Sequence, residues 1–272
     1  NNLPLGDVIQ SAYQFNNKIY AVANNSSRIE ILNQSNFTNE TTINGFNSPR
    51  YFLPINNSKA YVTDLYSNSI QIVNLNSNSI TGSINTNCWT EQLLLHNDTV
   101  YVCDMTNNNL LIINPANDNL IDSVKVGISP NSIIKDVNDK LWIMCSGGFQ
   151  EDYPKLIRFN PKTRVIEATF VFPDVDESPS NLTTNNNKTE LYYLNSNVYK
   201  MNINSAALPS SSLIKNNNNT FYGLGIDPVN GEIYVSDAID YVQSGIIFRY
   251  SATGSLIHQF NVGVIPGSFL FL

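Results

Sequence analysis

The chain of 272 residues is 14% charged and 42% hydrophobic, with 15 Lys and Arg against 22 Asp and Glu and a formal net charge of −7. The length suits one large domain, the acidic balance without a basic stripe argues against a nucleic-acid binder, and no apolar run approaches the ~18–20 residues of a membrane-spanning helix. The chain starts at Asn1 without Met or a signal-peptide pattern, so it reads as a mature or trimmed form.

Taken in chain order, one strand recurs: Lys18-Ile-Tyr20, Lys59-Ala-Tyr61-Val-Thr-Asp64, Thr99-Val-Tyr101-Val-Cys-Asp104, Lys140-Leu-Trp142, Glu190-Leu-Tyr192 and Glu232-Ile-Tyr234-Val-Ser-Asp237. The aromatic positions are 41, 40, 41, 50 and 42 residues apart. Each copy alternates apolar and polar and is rich in β-branched and aromatic residues, which reads as a strand. Just upstream lie Asn-containing pairs, Asn16-Asn17, Asn57-Ser58, Asn97-Asp98, Asn138-Asp139, Asn186-Asn187 and Asn230-Gly231, the residue types of hairpin turns. The sequence holds 43 Asn against 13 Gly. Asn tolerates the left-handed conformation and closes turns with its own side chain, so this excess predicts a turn-rich chain.

Call the strand before the turn a and the Tyr/Trp strand b. A strand c follows at residues such as Arg28–Leu32, Ser69–Val73 and Leu110–Ile113, and a strand d at residues such as Ser79–Ile84 and Val165–Phe172. Four antiparallel strands every ~40–45 residues are the pattern of β-propeller blades, with almost no helix expected. Six b strands accompany seven a strands, beginning at Gly6, Ser48, Trp89, Pro130, Pro179, Tyr222 and Pro266. This predicts a single all-β domain over 1–272, a seven-bladed β-propeller. One blade would be incomplete in the covered chain, with three of its strands expected from residues upstream of Asn1.

Strand direction places the d–a and b–c connections on one side and the a–b and c–d turns on the other. The first set carries the candidate ligand- or partner-binding residues: Arg50, Tyr51, Asp64, Tyr66, Trp89, Glu91, Phe149, Tyr222 and Tyr241. Aromatic anchors with a few placed polar groups suit both small-molecule and protein sites. Two readings stay open for Arg50: contact with a ligand oxygen, or pairing with Asp64 or Glu91. Trp89 is either covered by a loop or covered by a partner. Tyr20, Tyr61, Tyr101 and Trp142 lie mid-strand and are assigned to packing between blades.

Catalytic chemistry has little support. Cys88, Cys103 and Cys145 lack metal-ligand spacing, and His96 and His258 are far apart in sequence. No catalytic residue, cofactor or metal is expected, and the chain reads as a non-enzyme. The alternative metal reading rests on Glu151-Asp152 with Asp174, Asp176 and Glu177, which could offer oxygen ligands to calcium.

The Tyr61-Val-Thr-Asp64 motif and its echoes at 101–104 and 234–237 resemble the YVTN-type propeller repeat. Pro4-Leu-Gly-Asp-Val-Ile-Gln-Ser11, Ser48-Pro-Arg-Tyr51, Trp89-Thr-Glu-Gln92, Gly127-Ile-Ser-Pro-Asn-Ser132, Phe221-Tyr-Gly-Leu-Gly225, Asp237-Ala-Ile-Asp-Tyr-Val242 and Ile265-Pro-Gly-Ser-Phe269 are similar to the DUF5074 surface propellers of Bacteroidota. That family includes BtuG-type lipoproteins that capture cobalamin and pass it to a TonB-dependent outer-membrane transporter. The resemblance, over residues 4–272, implies an outer-membrane lipoprotein at the cell surface, anchored by lipid upstream of Asn1. It implies a cobalamin or other corrinoid ligand and a TonB-dependent transporter as partner. The alternative is a structural or interaction propeller of an outer-membrane assembly with no small ligand.

Overall fold

The computed structural model describes residues 5–272; Pro4 of the first family motif lies outside them. Among the described residues there are 23 strands and no helix. They fall into two compact units, one ending at Val126 and one spanning Gly127–Phe271.

The first unit holds three antiparallel four-stranded sheets, each laid out in chain order. They are β1 Ile9–Phe15, β2 Lys18–Ala23, β3 Arg28–Asn33 and β4 Asn39–Asn44; β5 Pro49–Pro54, β6 Lys59–Asp64, β7 Ser69–Asn74 and β8 Ser79–Asn85; β9 Thr90–His96, β10 Thr99–Asp104, β11 Asn109–Asn114 and β12 Asn119–Lys125. The second unit holds β13 Pro130–Lys135, β14 Leu141–Cys145, β15 Lys155–Asn160 and β16 Val165–Val171; β17 Ser180–Thr184, β18 Glu190–Asn195 and β19 Asn197–Asn202; β20 Phe221–Ile226, β21 Ile233–Asp237, β22 Ser244–Tyr250 and β23 Leu256–Val264. Each sheet is a β-propeller blade.

The Asn pairs make the hairpins. Asn16 and Asn17 both have positive φ, as do Asn97 and Asp98, the backbone that matches strand twist at a two-residue turn. At the β5–β6 turn the Asn56 carboxamide oxygen accepts the backbone N–H groups of Ser58 and Lys59. The second strand of each blade is almost wholly buried, and its aromatics pack between blades as expected. Tyr20 stacks on Phe52 of the next blade at 4.2 Å, and Tyr61 and Trp142 have no exposed surface. Burying such a ring stabilises the fold by about 1.5–3 kcal/mol.

The structure corrects the blade count from seven to six. The segment from Pro266 read as a seventh inner strand, yet residues 265–272 form no ladder. Pro266 has no N–H to offer one, and the segment folds back over the last blade instead. The Ser236 hydroxyl donates to the Pro266 carbonyl, and Phe269 and Phe271 lie 6.0 and 5.3 Å from the Tyr234 ring. Glycines make the room: a Cβ on Gly223 would lie 2.7 Å from the Gly267 carbonyl oxygen, and one on Gly225 2.7 Å from the Phe269 Cβ. The incomplete blade is the fifth, β17–β19, rather than one at the chain end. Its outer position is taken by residues 203–214, rich in Ser and Ala and poor in strand formers, which form no named strand, only a β-bridge from Val198 to Ile214, and pack Ile203 and Leu208 against the blade.

Candidate functional site

One irregularity recurs in every inner strand. Gln10 in β1, residues 50–51 in β5, residues 91–92 in β9, Asn131 in β13, residues 181–182 in β17 and Tyr222 in β20 each add one residue over the neighbouring strand. Such bulges bend a strand and re-aim a side chain, and they concentrate beside functional sites. Four of the candidate binding residues, Arg50, Tyr51, Glu91 and Tyr222, fall on them.

In the first unit the bulges build a polar cluster. The Arg50 Nε donates to Glu91 Oε1 at 2.7 Å and its Nη2 to Oε2 at 3.2 Å, a bidentate pair. Its Nη1 donates to the Gln10 carboxamide oxygen. The Trp89 indole N–H donates to the same Glu91 Oε1 at 2.6 Å. Side-chain exposure is 19% for Arg50 and 4% for Glu91. Burial pushes the Glu91 carboxyl up, against the opposing pull of Arg50 and Trp89. Burial also raises the neighbouring Tyr51 hydroxyl. Of the two carboxylates weighed as partners for Arg50, Glu91 is the one that pairs with it.

The Glu91 shift fixes the sign of a pH effect. With its folded pKa above the unfolded value of about 4.3, the folded state holds this proton more tightly. Its contribution to stability is present below that value and is lost as pH rises through the folded pKa. As pH rises from the unfolded value of about 4.3 through the folded pKa, the Tm of the wild type minus that of Glu91→Gln is expected to fall, as thermal melts at stepped pH would report.

Asp64 is occupied otherwise. Fully buried, its Oδ2 accepts the backbone N–H groups of Asn47 and Ser48, and its Oδ1 those of Tyr66 and Ser67. Tyr66, in the turn it holds, is 72% exposed.

The second unit presents aromatics. Tyr222 and Tyr241 meet edge to face at 5.8 Å and are about half exposed. Asp240 shapes their turn: the Gln243 side chain and the backbone N–H groups of Gln243 and Val242 hold its carboxyl at about 2. Phe149, at the tip of the 146–154 loop, is 91% exposed. Gly147 starts that loop with φ +84, where a Cβ would lie 2.3 Å from the Asp152 carbonyl oxygen. Gln150 ties the loop to Asp176 at 2.6 Å. A hollow of about 370 Å³ beside it is lined by Asp174, Asp176, Glu177, Asn195 and Tyr199. Among the described residues no group of three or more His, Cys, Asp or Glu side chains is placed to hold a metal ion.

The nine candidates therefore divide. Arg50, Tyr51, Trp89 and Glu91 come together, Tyr222 meets Tyr241, Asp64 is spent on backbone, and Tyr66 and Phe149 stand exposed. Sequence reasoning missed Gln10 and Asn181 and named Asn131 only as part of a loop. Asn131 donates to the Pro179 carbonyl at 3.0 Å and Asn181 to that of Tyr222 at 2.9 Å, each linking one bulge region to the next blade.

A model of a domain of unknown function, DUF5074, matches residues 1–271. The chain belongs to the DUF5074 family. No curated protein matches it in sequence. Among solved structures, hydrazine synthase of Kuenenia stuttgartiensis is 10% identical with a TM-score of 0.73, over 98% of this chain and 90% of that one. A quinoprotein alcohol dehydrogenase-like protein from Bacteroides thetaiotaomicron is 12% identical with a TM-score of 0.74, over 93% and 65%. A streptogramin B lyase is 12% identical with a TM-score of 0.74, over 95% and 86%. Such distant likeness places this DUF5074 chain among propellers and carries no activity to it.

Proposed function

We propose that this DUF5074 propeller is a non-enzymatic binding protein of the outer-membrane surface, lipid-anchored, that captures cobalamin or another corrinoid and docks on a TonB-dependent transporter. One observation carries the binding reading. Tyr66 in the first unit, and Phe149, Tyr222 and Tyr241 in the second, all in b–c or d–a connections or beside them, leave 42–91% of their surface exposed, in each unit a cost that a ligand or partner would offset. A corrin ring, broad and amphipathic, suits exposed aromatics flanked by amides better than a narrow cleft does. The two histidines lie in β9 and β23.

A second reading, an interaction propeller without a small ligand, is favoured by Phe149 and Val242, which protrude with 91% and 77% of their surface free. Truncating an aromatic anchor costs about 2–4 kcal/mol of binding. Trp89→Ala or Tyr66→Ala is therefore expected to weaken binding at least ~30-fold, while Asn138→Ala, in an a–b turn, leaves it unchanged. Titration of folded variants with cyanocobalamin, and separately with the co-purified transporter, reads this out. Equal loss in all three variants removes the site assignment. Transporter binding without cobalamin binding replaces the corrinoid reading with the second one.

A further inference from the structure

We infer that Glu91 sets the charge selectivity of the face built by β1, β5 and β9. By neutralising Arg50 and aiming Trp89, it makes this face receptive to an uncharged, ring-bearing ligand and turns it away from anions. This rests on the binding reading above and names the ligand class.

An arginine beside aromatics at the open end of inner strands would ordinarily recognise phosphate or carboxylate. Here its fork is taken. Nε and Nη2 are committed to Glu91 and Nη1 to Gln10, and the two charges cancel across 2.7 Å. The carboxylate that does this is 3% exposed, so solvent ions screen the pair poorly and its mutual neutralisation is strong. The same oxygen holds the Trp89 N–H. With its one donor satisfied, the indole has only its π surface left to offer, in an orientation fixed by a buried group. Arg50 and Glu91 each lie in the bulge of their own inner strand, at 50–51 and 91–92, where a strand re-aims its side chains. The chemistry left for a ligand is therefore a π platform edged by amide and guanidinium N–H groups, without net charge.

The sequence holds two tryptophans, and Trp142 has no exposed surface. Trp89 thus reports the site by its emission, and collisional quenching by iodide, caesium and neutral acrylamide at low ionic strength reads the charge around it. In Glu91→Gln, which keeps the shape and an acceptor for the indole, Arg50 loses its counter-charge. The iodide-to-caesium ratio of quenching constants is expected to rise at least ~3-fold over wild type, about half a kT of local potential per unit charge, since the two ions respond with opposite sign. The double variant Arg50→Gln/Glu91→Gln is expected to restore the ratio, and Arg50→Gln alone to lower it. These two decide the matter even where Glu91→Gln does not fold.

A second arm uses cyanocobalamin and its monocarboxylate, in which one amide is hydrolysed. Wild type is expected to favour the neutral form, and Glu91→Gln to shift the preference at least ~5-fold toward the carboxylate, as one unpaired charge would. An unchanged quenching ratio in natively folded Glu91→Gln overturns the inference. Absence of cyanocobalamin binding to wild type overturns the corrinoid reading alone, and the quenching series still decides this one.

Discussion

Replacing Trp142 with alanine is expected to lower the unfolding free energy by about 4–5 kcal/mol, near the upper end for a large aromatic in a core. The ring has no exposed surface. It stacks on Phe170 at 5.8 Å, carries the Arg158 guanidinium 5.8 Å from its centre, and packs with Met144, Leu156, Leu182 and Leu191. Its loss also removes a partner from a buried carboxylate. The indole N–H donates to Asp136 Oδ2 at 2.8 Å, while Oδ1 accepts the N–H groups of Asn138 and Lys140, so one residue joins the inter-blade core to the β13–β14 turn. Trp142→Phe keeps most of the packing and deletes the donor, and is expected to cost about 1–3 kcal/mol. Urea unfolding followed by far-UV circular dichroism measures both. A Trp142→Ala chain within about 1 kcal/mol of wild type would be inconsistent with a fully packed ring.

That role was readable in the sequence because a mid-strand aromatic recurring every ~40 residues has to fill the same gap in each blade. The Asn turns were readable for a similar reason, since their chemistry is local. The blade count was not. Ile265-Pro-Gly-Ser-Phe269 has the composition of the other inner-strand entries, but a strand exists only where a neighbour pairs with it. Here the aromatics of that segment found Tyr234 and the bare backbone of Gly223 and Gly225. The 50-residue spacing between Trp142 and Tyr192 did mark the irregular sector, where the 146–154 loop and the acidic 174–177 segment are inserted.

The site was legible in its residue types and not in its geometry. Aromatic and charged residues in the b–c and d–a connections could be listed from strand direction alone. The bulges could not, because an extra residue on one strand is a property of register between two strands. Gln10, Asn131 and Asn181 look like ordinary strand polar residues until that register is known. The pairing of Arg50 with Glu91 rather than Asp64 follows from the prior claim of four N–H groups on Asp64.

That claim makes the last expectation specific. Asp64→Ala should cost about 3–4 kcal/mol, because it strands backbone N–H groups in a buried place, where charge-assisted bonds are worth about 1.5–3 kcal/mol each and do not add fully. The carboxylate fastens the β6–β7 turn at Tyr66 and Ser67 to the entry of β5 at Asn47 and Ser48, so its loss loosens two connections at once. Asp237 does the same with fewer bonds, accepting from Thr220 and Ile239, and Asp237→Ala should cost about 2–3 kcal/mol. Where the repeat carries Asn195 instead, its carboxamide donates to Glu177 at 2.9 Å, so the tie between the two connections survives with donor and acceptor exchanged. The aspartate of the repeat is thus a clasp between connections, and the two roles open to Asp64 separate cleanly. If it is a clasp, Asp64→Ala protein refolded at low temperature binds as wild type does while its denaturation midpoint falls. If it touches ligand, affinity drops in that folded protein as well. Titration below the shifted melting range, paired with urea unfolding, distinguishes the two.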